Sequence, residues 1–113
     1  MGRSLGRQLL DVSAARLVGV TDPNAAAAKE ASAELKAGAF DSAEALLADP
    51  GVDAVIVASP GGFHRELTEL AASRGKHVFV EKPMAVTVAD CDAMIAATEK
   101  AGVKLMVGQV LRY

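Results

Sequence analysis

Apolar residues along this chain come in short runs separated by amphipathic stretches. Leu17-Val18-Gly19-Val20-Thr21 is one such run, stopped by Asp22-Pro23. Asn24 then has the chemistry of an N-cap for an alanine-rich helix running to about Lys36, with Gly38 as its stop. Ser42 to Ala48 predicts a short helix with Leu46 and Leu47 inward, ended by Asp49-Pro50-Gly51. Ala54-Val55-Ile56-Val57-Ala58 is continuous, β-branched and uncharged, the pattern of a strand buried on both faces. Ser59-Pro60-Gly61-Gly62 breaks it. Phe63 to Arg74 predicts a helix with Phe63, Leu67, Leu70 and Ala71 on one face and Gly75 at its end. His77 to Val80 reads as strand, Val88 to Ala101 as helix and Lys104 to Val107 as strand. Thr87 followed by Asp90 opens the last helix like a capping box, Val88, Cys91 and Ile95 form its expected core stripe, and Gly102 closes it.

Strands that alternate with helices in this way predict an α/β fold, a parallel sheet with helices on both faces. Right-handed crossovers leave few topologies. A doubly wound, Rossmann-like dinucleotide fold leads, with a flavodoxin-like domain as the structural competitor. The strands around Val18, Val55, Val78 and Leu105 are expected in one sheet.

Composition narrows the function classes. The 113 residues are enough for one domain, and 51% hydrophobic with 23% charged is a soluble globular balance. Net charge is −2 with no basic block, and one Tyr, three Phe and no Trp offer little stacking surface, so no nucleic-acid partner is expected. The single Cys91 excludes an internal disulfide framework and suits a reducing, cytoplasmic setting; it reads as a small buried apolar group. No run has the length of a membrane helix. The first 17 residues loosely resemble a transit peptide, and Met1-Gly2 a myristoylation start, though Gly6 stands where Ser or Thr is wanted.

Candidate chemistry clusters where strands end. Glu81-Lys82-Pro83 follows the His77 to Val80 run, and the carboxyl edge of an open α/β sheet is where ligands bind. Pro83 restricts Lys82 to an extended backbone, which aims the amine. A solvated ion pair at a strand end is the plainer reading. Asp22 follows the first run directly. An acid about 20 residues past a phosphate loop accepts from a ribose 2′-hydroxyl and disfavours a 2′-phosphate, so NAD is expected in preference to NADP. Asp22-Pro23-Asn24 is equally an ordinary turn. Counting back from Asp22 reaches Gly2, which suits the last glycine of such a loop, with Ser4 to Asp11 as the first helix; a lone glycine is weak on its own. No Cys/His cluster suggests a metal, and no G-x-S-x-G motif suggests a serine nucleophile.

Across essentially all 113 residues the chain resembles the N-terminal cofactor domain of the Gfo/Idh/MocA oxidoreductases. The resemblance rests on Met1-Gly2-Arg3, Leu17 to Pro23, Glu44-Ala45-Leu46-Leu47 and Val52-Asp53-Ala54-Val55. It continues through Ala58-Ser59-Pro60 with His64, Gly75-Lys76-His77-Val78, Glu81-Lys82-Pro83, Lys100-Ala101-Gly102-Val103, Val107-Gly108-Gln109 and Arg112-Tyr113. It implies that Gly2 and Arg3 approach the pyrophosphate and Asp22 holds the adenosine ribose. Ser59 and Pro60 would line the cofactor channel, Lys82 would be the catalytic residue beside nicotinamide and substrate, and Glu81 and Pro83 would support it. Arg112 would lie near the site entrance. His64 would touch the cofactor or serve the helix start; His77 would be structural. Gly61 and Leu5 depart from the asparagine and histidine that many relatives carry there.

The resemblance also implies a second α/β domain that this chain does not contain, and a first strand that it lacks. Residues 1–113 are therefore expected to be a partial dinucleotide-binding domain of an NAD-dependent dehydrogenase for a sugar, inositol or related polyol, inactive as it stands and prone to self-association into homo-oligomers. The alternative is a non-catalytic module for nucleotide sensing or assembly.

Overall fold

The computed structural model describes residues 11–108. They divide between Val52 and Asp53 into two compact units, each with its own parallel sheet.

The first unit contains β1 (Gly19–Val20), α1 (Ala25–Leu35), β2 (Gly38–Ala39) and α2 (Ala43–Ala48). β1 and β2 pair in parallel, Gly19 opposite Gly38 and Val20 opposite Ala39. Bonds from Gly38 N–H to Val18 O (3.1 Å) and from Phe40 N–H to Val20 O (2.9 Å) hold the ladder. Asn24 opens α1 as predicted: its Oδ1 accepts from the amides of Ala26 (3.0 Å) and Ala27 (3.2 Å). Such a cap is worth about 1 kcal/mol. The stop differs from expectation. Lys36, not Gly38, takes the left-handed conformation at φ 55°. Ser32 makes that possible, since its carbonyl accepts from Lys36 and Ala37 while its hydroxyl donates to Ala37 O. Gly38 is thereby released into β2. Ser42 Oγ caps α2 by accepting from Ala45 N–H at 3.1 Å. Leu47 is buried and Leu46 half-buried; Ala28, Leu35, Leu47 and Val52 form this unit's core.

The second unit contains β3 (Ala54–Val57), a 3₁₀ turn (Gly61–Phe63), α3 (His64–Ser73), β4 (His77–Val80), α4 (Val88–Ala101) and β5 (Leu105–Val107). The strand order is β3-β4-β5, all parallel, with Val55 opposite Val78 and Val78 opposite Leu105. Thr87 Oγ1 accepts from Asp90 N–H at 3.1 Å, and Gly102 closes α4 at φ 71°. Val57, Val78, Val80 and Met94 lie in the core, each contributing roughly 1.5–3 kcal/mol by leaving water. Arg65 on α3 pairs with Glu69 (2.8 Å) and with Asp90 of α4 (3.0 Å). The hydrogen bond to Glu69, and then that to Asp90, holds its guanidinium above the ordinary value.

The fold class is the expected one, and four further details are corrected. The expected single sheet is two among the described residues: β1 pairs with β2, a two-residue strand too short to show a period, and β3, β4 and β5 form the other sheet. β3 is not buried on both faces: Val57 is buried, while Ile56 is 37% exposed. α3 buries Ala71 as expected but with it His64, Thr68 and Ala72, while Leu67 and Leu70 are half-buried and Phe63 is 55% exposed, because the helix proper begins one residue later, after the 3₁₀ turn. α4 turns Met94 and Thr98 inward, whereas Val88 and Ile95 face water and Cys91 is half-buried. Thr98 can be buried because its hydroxyl donates to the Met94 and Ile95 carbonyls at 3.0 Å.

Candidate functional site

In the first unit the carboxyl ends of β1 and β2 frame a cavity of about 360 Å³. It is lined by Asp22 and Pro23 of the turn after β1, by Ala25, Ala28 and Lys29 of α1, and by Ala39, Phe40 and Asp41 at the end of β2. Its size falls in the range of small-molecule pockets, roughly 300–1,000 Å³. Asp22 enters through the turn that ends β1. Its Oδ1 accepts from Asn24 N–H at 2.8 Å, which fixes the carboxylate while its other oxygen makes no bond among the described residues. Two carboxylates and one lysine make a wall suited to hydroxyl groups and poorly suited to a further dianion.

In the second unit the three strands end in register. Glu81 N–H donates to Val57 O (3.0 Å) and Gly108 N–H to Val80 O (2.9 Å). Polar residues leave the sheet immediately beyond: Ser59 and Pro60 after β3, Glu81, Lys82 and Pro83 after β4. Glu81 is buried at 7% exposure and Lys82 is exposed. The carboxylate of Glu81 lies against Gly108, where an added Cβ would stand 3.6 Å from its Oε1 and 3.1 Å from Phe79 Cζ. The Lys82–Pro83 peptide is cis. Gly61 approaches the same loop, its Cβ position lying 3.7 Å from Pro83 Cγ. Ser59 Oγ is buried without a partner among the described residues, the kind of orphan that a ligand or water satisfies.

His64 occupies the middle of this edge at 1% exposure. Its Nε2 lies 2.6 Å from Ser59 O, and its Nδ1 lies 3.0 Å from Pro83 O and 3.2 Å from Met84 O. His77 is exposed, and its Nδ1 accepts from Lys104 N–H at 3.0 Å, a fastening between strand starts.

Ser59, Pro60, His64, Glu81, Lys82 and Pro83 thus gather at one sheet edge, and Asp22 stands at the edge of the other sheet. Gly2, Arg3 and Arg112 lie outside the described residues. Lys29, Phe40 and Asp41 were not legible beforehand. Phe40-Asp41 follows a strand of two residues, and its one sequence cue, a position just ahead of the Ser42 cap, marks a helix start and not a site. Among the described residues no group of His, Cys, Asp and Glu could hold a metal, and no helix is long and apolar enough to cross a membrane.

Comparison with known proteins bears on the same residues. The model of an oxidoreductase family with an NAD-binding Rossmann fold matches residues 1–109. A 2,7-anhydro-N-acetylneuraminate hydratase of Mediterraneibacter gnavus is 36% identical over 112 residues, 99% of this chain and 29% of that protein. An inositol 2-dehydrogenase/D-chiro-inositol 3-dehydrogenase of Halalkalibacterium halodurans is 39% identical over 105 residues, 90% of this chain and 30% of its own. Among solved structures, the WlbA dehydrogenase of Bordetella pertussis, in complex with NADH and UDP-GlcNAcA, superposes with a TM-score of 0.86 at 34% identity, covering 98% of this chain and 31% of that one. The chain spans about 30% of the length of these relatives.

Proposed function

The chain belongs to the Gfo/Idh/MocA family of oxidoreductases, within its NAD-binding Rossmann domain, and on that footing we propose that it is the cofactor-binding part of a dehydrogenase for a sugar, inositol or related polyol. The observation that carries this reading is the succession of a buried Glu81 and an exposed Lys82 at the carboxyl end of β4, with the unpartnered Ser59 hydroxyl at the same end of the neighbouring strand β3.

The residues present suit NAD. The cavity beside β1 and β2 has the size for an adenosine end, and Asp22, braced by Asn24, offers a fixed acceptor to a ribose hydroxyl. Asp22 and Asp41 together repel a 2′-phosphate, so NAD is favoured over NADP. In the second unit Ser59 and Pro60 line the cofactor path, and the Ser59 hydroxyl gains a partner there. Gly2, Arg3 and Arg112 complete the set by resemblance. When bound, the nicotinamide accepts hydride from, or gives it to, the substrate carbon. Lys82 orients the oxygen on that carbon and offsets the charge that develops on it, and Glu81 and Pro83 hold the lysine in place.

The inositol dehydrogenase and the sugar-nucleotide complex among the relatives support a polyhydroxylated substrate. Turnover belongs to a protein of the relatives' length; the 113 residues alone are expected to bind cofactor without it. Calorimetric titration of the chain with NADH and NADPH tests the reading. Micromolar to millimolar NADH binding with weaker NADPH binding is expected, and no binding of either sinks it.

A further inference from the structure

We propose that His64 is a positioning residue that sets the two loops of the nicotinamide edge in register, so that Lys82 stands where Ser59-Pro60 admits the cofactor. The inference rests on the cofactor reading above and names a device within it. Ser59 belongs to the loop after β3; Pro83 and Met84 belong to the loop after β4. The imidazole lies between them, with Nε2 on Ser59 O at 2.6 Å and Nδ1 on Pro83 O and Met84 O at 3.0 and 3.2 Å.

Several features single this contact out. His64 is 1% exposed at the first residue of α3, so a rigid helix carries the ring. Both ring nitrogens lie within hydrogen-bond distance of backbone carbonyls, so each side of the ring is held by main chain and not by another side chain. The contacts are made 5, 19 and 20 residues away in sequence, which makes the ring a cross-link between loops and not a local cap. The second loop carries Lys82 one residue before Pro83. Movement of either loop would therefore change the distance from Lys82 to the Ser59 hydroxyl. With both ring nitrogens on carbonyls, His64 acts on the bound cofactor through the loops.

The test uses the 113-residue chain, wild type, His64→Gln and His64→Phe. The chain holds two histidines, so their ring protons can be told apart by magnetic resonance. In the wild type the His64 ring N–H should exchange slowly with water, and that of exposed His77 fast. Equal, fast exchange at both rings overturns the proposal without any variant having to fold. In folded variants the amides of residues 59–62 and 82–86 should shift together. Affinity for NADH should fall about tenfold while affinity for ADP-ribose, which lacks the nicotinamide end, stays within about twofold. Unmoved loops, or an equal loss for both ligands, overturns the positioning role. Wild-type chain that binds neither ligand overturns the cofactor reading and with it the role assigned to His64; the exchange and amide spectra then show whether the cross-link itself exists.

Discussion

The ring of Phe40 fills the space that a side chain on Gly19 would need. A Cβ on Gly19 would stand 2.6 Å from Phe40 Cδ2 and 2.9 Å from the Gly38 carbonyl oxygen, both inside van der Waals contact. The bare Cα of β1 thus lets Phe40 close over the two-stranded ladder and form one wall of the cavity beside Asp22. Gly19→Ala should cost about 1–3 kcal/mol through overpacking. Adding Phe40→Leu should recover part of it, giving a coupling of at least ~0.5 kcal/mol in a double-mutant cycle by urea denaturation. Gly61 is the control. Its Cβ position meets nothing nearer than 3.7 Å and its φ is not positive, so Gly61→Ala should lie within about 0.5 kcal/mol of wild type.

Sequence legibility followed how locally each feature is determined. Helix starts at Asn24, Ser42 and Thr87 were readable because one side-chain oxygen and the amide two or three residues on define them. Gly102 was readable because its positive φ favours glycine. β2 was not, since two residues held by pairing with β1 carry no period of their own. The buried faces of α3 and α4 are less legible. His64 and Thr98 enter the core where an apolar residue is expected, with backbone carbonyls within hydrogen-bond reach of their polar atoms, and Thr68 is buried with no such partner among the described residues. At the site, Asp22 and Glu81-Lys82-Pro83 showed themselves by directly following apolar runs. Asp41 and Phe40 reach the cavity only through the β1–β2 pairing, which the sequence does not display.

Two buried threonines differ in one respect and should respond oppositely to the same change. Thr98 Oγ1 donates to main-chain carbonyls, whereas Thr68 Oγ1, fully buried, has no partner among the described residues. Valine keeps the shape and removes the hydroxyl. Thr98→Val should lose about 0.5–1 kcal/mol, the net worth of a typical hydrogen bond. Thr68→Val should gain about 1 kcal/mol by removing an unpaired buried group. Chemical denaturation of both variants checks the pair, and equal effects of one sign would show that Thr68 has found a partner such as water.

Asp22 offers a test of cofactor choice that leaves the fold alone. Asp22→Asn keeps an oxygen for the Asn24 amide, so the start of α1 should persist. It removes the charge that attracts a ribose hydroxyl and repels a 2′-phosphate. NADH affinity should fall about tenfold, ~1.4 kcal/mol, and NADPH affinity should rise, so the ratio changes by more than either value. Parallel titrations measure it. An unchanged ratio would make Asp22 a turn residue only.

Lys82 should matter for turnover and little for stability. It is exposed, so Lys82→Met, which keeps much of the side-chain volume, should leave the unfolding midpoint within about 2 °C of wild type. Its ammonium stands at the carboxyl end of β4, where the proposed reaction places charge on the substrate oxygen. Loss of one preorganised donor of this kind costs ~3 kcal/mol of transition-state stabilisation, about a hundredfold in rate. The measurement needs a catalytically complete partner: this chain fused to the remaining length of a family relative, assayed by nicotinamide absorbance with inositols and sugars. The fusion should turn over, its Lys82→Met form should be about a hundredfold slower at unchanged NADH affinity, and the 113-residue chain alone should be silent. Full activity in the Met variant would remove Lys82 from the chemistry, and turnover by the chain alone would show that these 113 residues already hold every group the reaction requires.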